Sequence, residues 1–288
     1  VLALALAVLI TGCGGDGGGD NGEVAPIDEQ LGIDGDGILE RQGRAENLIR
    51  DCMEAKGFDY VPVDPVAQRD ALVGEAGLTE EEFEKEYGYG ITTLYEQRRE
   101  AATGPNEAIR NQLNEAERAD YDQTLFGDDP TATFDVAVDT GDFSRLGGCV
   151  KEATEEVFGG AEVLETLQTE LDELDDRILE DTRMVAAVAD WSECMRDKGF
   201  DDLAEPEEVD AVLEAKLVEI VGTPGTVANT SYDKAALDAL QNEEVEMVTA
   251  DIACEKEHIT DVEEEVRVEE EQAFREQNAD LLSKVPPP

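Results

Sequence analysis

The stretch CMRDKGFD, Cys194 to Asp201, repeats a phrase that stands earlier in the chain as CMEAKGFD, Cys52 to Asp59. Cys, Met, Lys, Gly, Phe and Asp coincide position by position. Each copy reads as the end of a helix. Gly57 suits the left-handed residue just beyond the last turn, where a Cβ is penalised. Lys56 then stands at the cap, where a cation favours the negative end of the helix dipole. In this register Met53 and Phe58 occupy the two positions whose apolar contact closes a Schellman stop. Met195, Lys198, Gly199 and Phe200 repeat the arrangement. Ile49 and Trp191, three residues before each cysteine, share its face of the helix. The phrase thus encodes a helix ending with a cysteine aimed at a neighbour. Its recurrence predicts a duplicated helical module.

Besides Cys13, four cysteines remain: Cys52, Cys149, Cys194 and Cys254. An even number in an exported chain points to disulfides, and four cysteines allow three pairings. Each copy of the phrase is followed by one further cysteine, in LGGCVKEA and then in DIACEKEH. That order favours Cys52–Cys149 and Cys194–Cys254, one bond per module. No two cysteines stand at zinc-ligand spacing, so no metal is expected. His258 follows Cys254 by four residues on one helical face, but a lone Cys-x-x-x-His pair is too weak to predict a site.

The export reading comes from VLALALAVLITGC, Val1 to Cys13. This apolar run is too short to span a bilayer and has the size of a signal-peptide core. A leader of this kind needs a charged segment and a starting Met ahead of Val1. Ile10-Thr11-Gly12-Cys13 resembles a bacterial lipobox, which implies lipidation of Cys13. GGDGGGDNGEVAP, residues 14–26, continues as a glycine-rich stretch too costly to order. A flexible tether over 14–37 is therefore expected, leading from the membrane to the folded part. Two or three acyl chains would anchor it firmly.

The charge is lopsided: 72 Asp and Glu against 22 Lys and Arg, a formal net of −50. Phosphate recognition needs clustered cations, so the charge argues against nucleic-acid binding and against a polybasic hold on an anionic membrane. Such an excess of acid is usually a solvated face that keeps the chain soluble, or a response to a salt-rich habitat. Aromatics are only 5%, so the core is mostly Leu, Val, Ile and Ala.

Helical periodicity predicts an all-α chain with strands minor or absent: a signal peptide over 1–13, the tether over 14–37, one helical module over 38–160, a second over 161–283, and a frayed tail over 284–288. In the first module, helix is expected from 38 to 56 and YVPVDP, residues 60–65, is extended because of its prolines. Thr79 with Glu82 and Asn114 with Glu117 read as capping boxes. YGYG, residues 87–90, breaks the chain before a helix from about 91 to 102, and Gly104-Pro105 closes that section. Residues 127–142 read as a loop with one short strand. In the second module, helix runs from 161 to 198 with a break at Asp181-Thr182, then from Pro206 to near Gly222. After the loop TPGTVANTS, 223–231, a long pattern extends from 233 to about 283, with Leu237, Leu240, Val248, Ile252 and Ile259 on one face. Its last third is so acidic that full packing is not expected.

Catalytic motifs are missing. One His, no Gly-x-Ser-x-Gly, no phosphate loop and no dinucleotide fingerprint argue against an enzyme and against a cofactor. Carboxylate pairs could act on sugars, but no pair stands out among so many acids. Asp34-Gly35-Asp36-Gly37 invites a calcium loop; in the EF-hand register the first and twelfth positions fall on Gly32 and Gly43, and the pattern fails. Asp128, Asp129, Asp135, Asp139 and Asp142 could attract cations only weakly. Tyr60, Tyr87, Tyr89 and Tyr95 are the candidate ligand-binding residues, since aromatics beside glycines can stack on sugars or peptide; core packing is the competing reading.

Taken in order, the lipobox at 10–13, CMEAKGF with Tyr60-Val61-Pro62 at 52–62, EYGYGITT at 86–93 and WSECMRDKGF at 191–200 resemble uncharacterised secreted lipoproteins of actinobacteria with duplicated CMxxKGF motifs. The resemblance implies an envelope-anchored helical protein and brings no catalytic residues. The function expected is that of a lipid-anchored, extracytoplasmic, non-enzymatic binding or scaffold protein of the cell envelope. Its partners would be the membrane through its lipid and an envelope protein or glycan. The alternatives are a carboxylate-dependent hydrolase acting on cell-wall polymers and a structural acidic spacer.

Overall fold

The computed structural model describes residues 25–73, 78–101, 104–222 and 232–287. Cys13, the signal segment, the tether up to residue 24 and the loop 223–231 lie outside the described residues. The described chain is all-α, with no strand among the described residues. The helices, in order, are α1 (Ile27–Leu31), α2 (Gly35–Ala55), α3 (Pro65–Val73), α4 (Glu80–Tyr87), α5 (Tyr95–Ala101), α6 (Pro105–Gln112), α7 (Glu115–Phe126), α8 (Phe134–Thr140), α9 (Gly148–Phe158), α10 (Ala161–Glu180), α11 (Thr182–Asp197), α12 (Glu208–Val221), α13 (Lys234–His258), α14 (Thr260–Gln277) and α15 (Ala279–Leu282).

Two compact units form, and they cut the chain differently from the modules 38–160 and 161–283. Unit 1 takes the chain up to Arg69, Ala101–Arg177 and Val268–Pro288; unit 2 takes Asp70–Glu100 and Ile178–Arg267. The reason is long-range packing. Helix α4 from the first half docks on α13, and the acidic end of the chain belongs to unit 1.

In both units the repeated phrase does what its spacing predicts. The Phe58 N–H donates to the Met53 carbonyl at 3.0 Å and the Gly57 N–H to Glu54 at 3.0 Å. Phe200 donates to Met195 at 3.0 Å and Gly199 to Arg196 at 3.0 Å. These pairs are the two bonds of a Schellman stop. Gly57 and Gly199 have φ of 93° and 100°. A Cβ at either position would meet nothing, so glycine is required there by backbone conformation alone. The cysteines ahead of the stops are bonded as the order of the sequence favours: Cys52 to Cys149 and Cys194 to Cys254, with Cα–Cα separations of 5.7 and 5.8 Å.

Unit 1 is built on α2, α7 and α9. Ile49, Met53, Tyr121, Leu125, Cys149, Val150, Val157 and Phe158 form its core. At its edge lies a fully buried cation, Arg41 on α2. Among the described residues no carboxylate pairs with it. Its donors go instead to the carbonyls of Leu31 (2.6 Å), Gly32 (3.0 Å), Val157 (2.6 Å) and Pro286 (2.8 Å), and its guanidinium lies 5.4 Å from the centre of the Phe158 ring. Leu31 ends α1 and Val157 lies in the last turn of α9, so the charge sits against the negative ends of two helices. Burial, then the neighbouring Arg44, lowers the Arg41 pKa.

Four expectations for unit 1 give way here. The tether does not extend to residue 37: Ile27 and Leu31 are buried, the Ile27 N–H donates to Glu271 at 3.1 Å, and α2 already begins at Gly35. Through Pro287 the tail is not frayed, since Pro286 accepts from Arg41 and Pro287 from Arg44. The acidic helix α14 is packed through Glu271 and Phe274, with Arg275 bonded to Glu271 at 2.8 Å. Residues 134–140 are helix rather than strand, because Phe134 stacks on Phe158 at 5.1 Å and Ala137 is buried, which overrides weak local preference.

Prolines mark beginnings where breaks were expected. Pro65 opens α3 and Pro105 opens α6, the first helical turn being where a missing N–H does no harm. Capping boxes form at Thr79–Glu82 and Asn114–Glu117, and Asp181 caps α11 at the expected break. In unit 2, α13 packs against α4, α11 and α12. Leu237, Leu240, Val248 and Ile259 are buried, while Ile252 is only half-buried.

Candidate functional site

The most elaborate polar construction is the YGYGITT segment of unit 2, held on α13. The turn after α4 brings the N–H groups of Ile91, Thr92 and Thr93 together. All three donate to the buried carboxylate of Glu244, at 2.7, 2.8 and 2.9 Å. The Thr92 hydroxyl adds a fourth bond at 2.5 Å. Gln241, one turn earlier on α13, donates to the Thr92 carbonyl at 3.0 Å. Gly88 lets the backbone approach: a Cβ there would meet Glu244 Cγ at 2.8 Å, and its φ is 61°. Arg98 reaches back to the Gly90 carbonyl.

Two helical turns beyond Glu244, Asp251 takes the Tyr89 hydroxyl at 2.8 Å and the Trp191 indole N–H at 2.9 Å. Near it stand Glu207, which precedes α12, Asp210 on α12 and Glu255 on α13, and Glu255 in turn faces Glu263 on α14 and Glu84 on α4. Burial raises Asp251 to about 6, against the lowering pull of its two bonds, with Asp210 and Glu207 adding repulsion. Burial, then Glu214, Glu244 and Glu207, raises Asp210 to about 6. Burial followed by Asp251, Glu263, Glu84 and Glu207 raises Glu255 to about 8. Of the three, only Glu255 is raised far enough to keep its proton at neutral pH, which is what a general acid needs.

The sequence-predicted residues are distributed as follows. Tyr60 is buried in unit 1, its hydroxyl donating to Glu46 at 3.1 Å. Tyr87, Tyr89 and Tyr95 belong to unit 2, so the four tyrosines do not line one surface of one unit. Tyr87 lies 5.5 Å from Phe83, Tyr89 is spent on Asp251, and Tyr95 meets Tyr232 edge-on at 5.8 Å. All four have packing partners. Asp129 is taken by Arg145 and Thr131, Asp128 by Gln123 and Asp142 by Ser144. Asp34 precedes α2 as its cap residue, and α8 carries Asp135 and Asp139. His258 ends α13, with Glu257 and Cys194 close by. An open depression at the second helix stop is lined by Ser192, Arg196, Phe200, Leu203 and Ala204, beside Asp202 at φ 71°.

Glu244, Asp251 and Trp191 were not legible as a group, because nothing local separates two buried acids from the other carboxylates. The signal available was the helical spacing of Gln241, Glu244 and Asp251 along an otherwise apolar face. No family model, no curated protein and no solved structure matches the chain. No described helix is long and apolar enough to cross a membrane.

Proposed function

We propose that the protein is a lipid-anchored, extracytoplasmic, non-enzymatic binding or scaffold protein of the bacterial envelope, held by an acylated Cys13. The observation that carries this reading is the pair of disulfides, one within each unit. Disulfides persist in oxidising compartments and are rare in the cytosol. The spent tyrosines and the closed Glu244 cradle favour a rigid presenting surface over a reaction centre. The acidic surface suits a cationic or neutral partner, an envelope protein or glycan, and disfavours nucleic acid. Metabolic labelling with an alkyne fatty acid tests the anchor: the wild type should carry label in the membrane fraction and Cys13→Ser should not. Equal labelling of the two would overturn it.

The second reading, a carboxylate-dependent hydrolase of wall polymers, is favoured by one observation, the raised carboxyls around Asp251. It requires that purified protein release soluble fragments from cell-wall polymer, and that Glu255→Gln abolish the release while the fold is kept.

A further inference from the structure

Cys194 of the Cys194–Cys254 bond lies in a set of metal-ligand groups, and among the described residues no such set includes Cys52 or Cys149. Cys194 stands in the last turn of α11, and Cys254, Glu257 and His258 stand at i, i+3 and i+4 at the end of α13. The ligand atoms of Cys194, Glu257 and His258 all lie within 4.8 Å of one another. Cys254 Sγ is not a member of that group but is bonded to Cys194 Sγ, so reduction would free a second sulfur donor beside it. Two sulfurs, an imidazole and a carboxylate from two helices match the four-coordinate preference of zinc. Around the first disulfide the charged neighbours are Glu152 and Lys56, bonded to each other at 2.9 Å, and a lysine ammonium is no ligand.

We propose that reduction of Cys194–Cys254 converts this corner of unit 2 into a zinc site formed by Cys194, Cys254, Glu257 and His258. The chemistry has two steps. A dithiol or phosphine reductant supplies two electrons, the S–S bond breaks, and two thiols form while the reductant is oxidised. Zinc then displaces both thiol protons to solvent and is bound by two thiolates, the His258 imidazole and one Glu257 oxygen. Access is open: Cys194 and His258 are half-buried and Glu257 is exposed, whereas Cys254 is buried. In either state α11 is stapled to α13, by sulfur under oxidising conditions and by metal under reducing ones. The thiol–disulfide poise decides which form is populated.

The test uses full-length protein, reduced with a phosphine and titrated with zinc against a chromogenic chelator, beside the oxidised protein as control. The reduced wild type should bind one zinc more per chain than the oxidised one. His258→Gln and Glu257→Gln should each weaken that zinc by about tenfold or more, the loss seen even for outer-shell partners. Cobalt in its place should give a thiolate-to-metal charge-transfer band and a tetrahedral visible spectrum. A Cys52→Ser/Cys149→Ser double variant should keep the site. Equal zinc in the oxidised and reduced proteins, unchanged affinity in His258→Gln, or loss of the site in the Cys52/Cys149 variant would each overturn the proposal.

Discussion

Arg41 shows how single residues set this structure. A buried cation without a carboxylate persists only when other dipoles replace water around it. Here carbonyls at the ends of α1 and α9 and in the tail do so. Arg41→Met should therefore cost about 3 kcal/mol in urea unfolding, the cost of stranding several buried acceptors. Arg41→Lys should rescue little, because an ammonium cannot span acceptors set for a planar fork. Glu244 is the counterpart in unit 2. Glu244→Ala strands the N–H groups of Ile91, Thr92 and Thr93, with an expected loss of about 3 kcal/mol. Hydrogen exchange should place the loosened amides in 86–93 and α13; protected amides there in Glu244→Ala would show that the cradle does not fasten the loop. Neither residue is legible in the sequence. Each is one charge among many, and its burial is decided by elements far along the chain.

At the scale of elements, what is local was legible and what is tertiary was not. The Schellman stops, the two capping boxes and the Asp181 break depend on neighbours within six residues, so spacing reveals them. Helix α8 and the docked tail depend on Phe158 and Arg41, and no window of sequence contains both partners. The helix stops carry their own prediction. Gly199→Ala should cost about 1 kcal/mol through the left-handed backbone alone, since the space is open. The disulfides close spans of 97 and 60 residues. Chain entropy gives at most about 4 to 5 kcal/mol for each. Serine at both ends of one bond should loosen mainly the unit that holds it: Cys52/Cys149 variants should lose exchange protection in α2 and α9, and Cys194/Cys254 variants in α11 and α13. Uniform loss in both cases would mean that the units are one cooperative block.

At the scale of the whole molecule, charge dominates. With a formal net of −50, added salt should raise the melting temperature by screening self-repulsion. The pH dependence has a definite sign. Asp210, Asp251 and Glu255 have folded-state pKa values raised to about 6, 6 and 8, above their ordinary ranges near 4. The native state then binds more protons than the unfolded chain, so this contribution is full below pH about 4 and is lost as pH rises through 6 to 8. Asp129 opposes it weakly, since its pKa of about 2 means stability lost only in strong acid. Unit 2 should accordingly melt higher at pH 5 than at pH 8.5. Asp251→Asn, which keeps an oxygen to accept from Trp191 and turns its amide N–H toward the Tyr89 hydroxyl oxygen, should flatten that difference; an unchanged pH profile would remove the cluster as its cause.

The disulfides, one in each unit, and the proposed export and anchoring through Cys13 are reached together by a single measurement. Protein taken from cell membranes would be alkylated without reduction, digested and mapped by mass. The account predicts linked peptides joining Cys52 to Cys149 and Cys194 to Cys254, no alkylated cysteine among the four, and an N-terminal peptide that begins at Cys13 carrying the mass of a diacylglyceryl group. Free, alkylated thiols at these four positions, together with an unmodified Cys13, would contradict it.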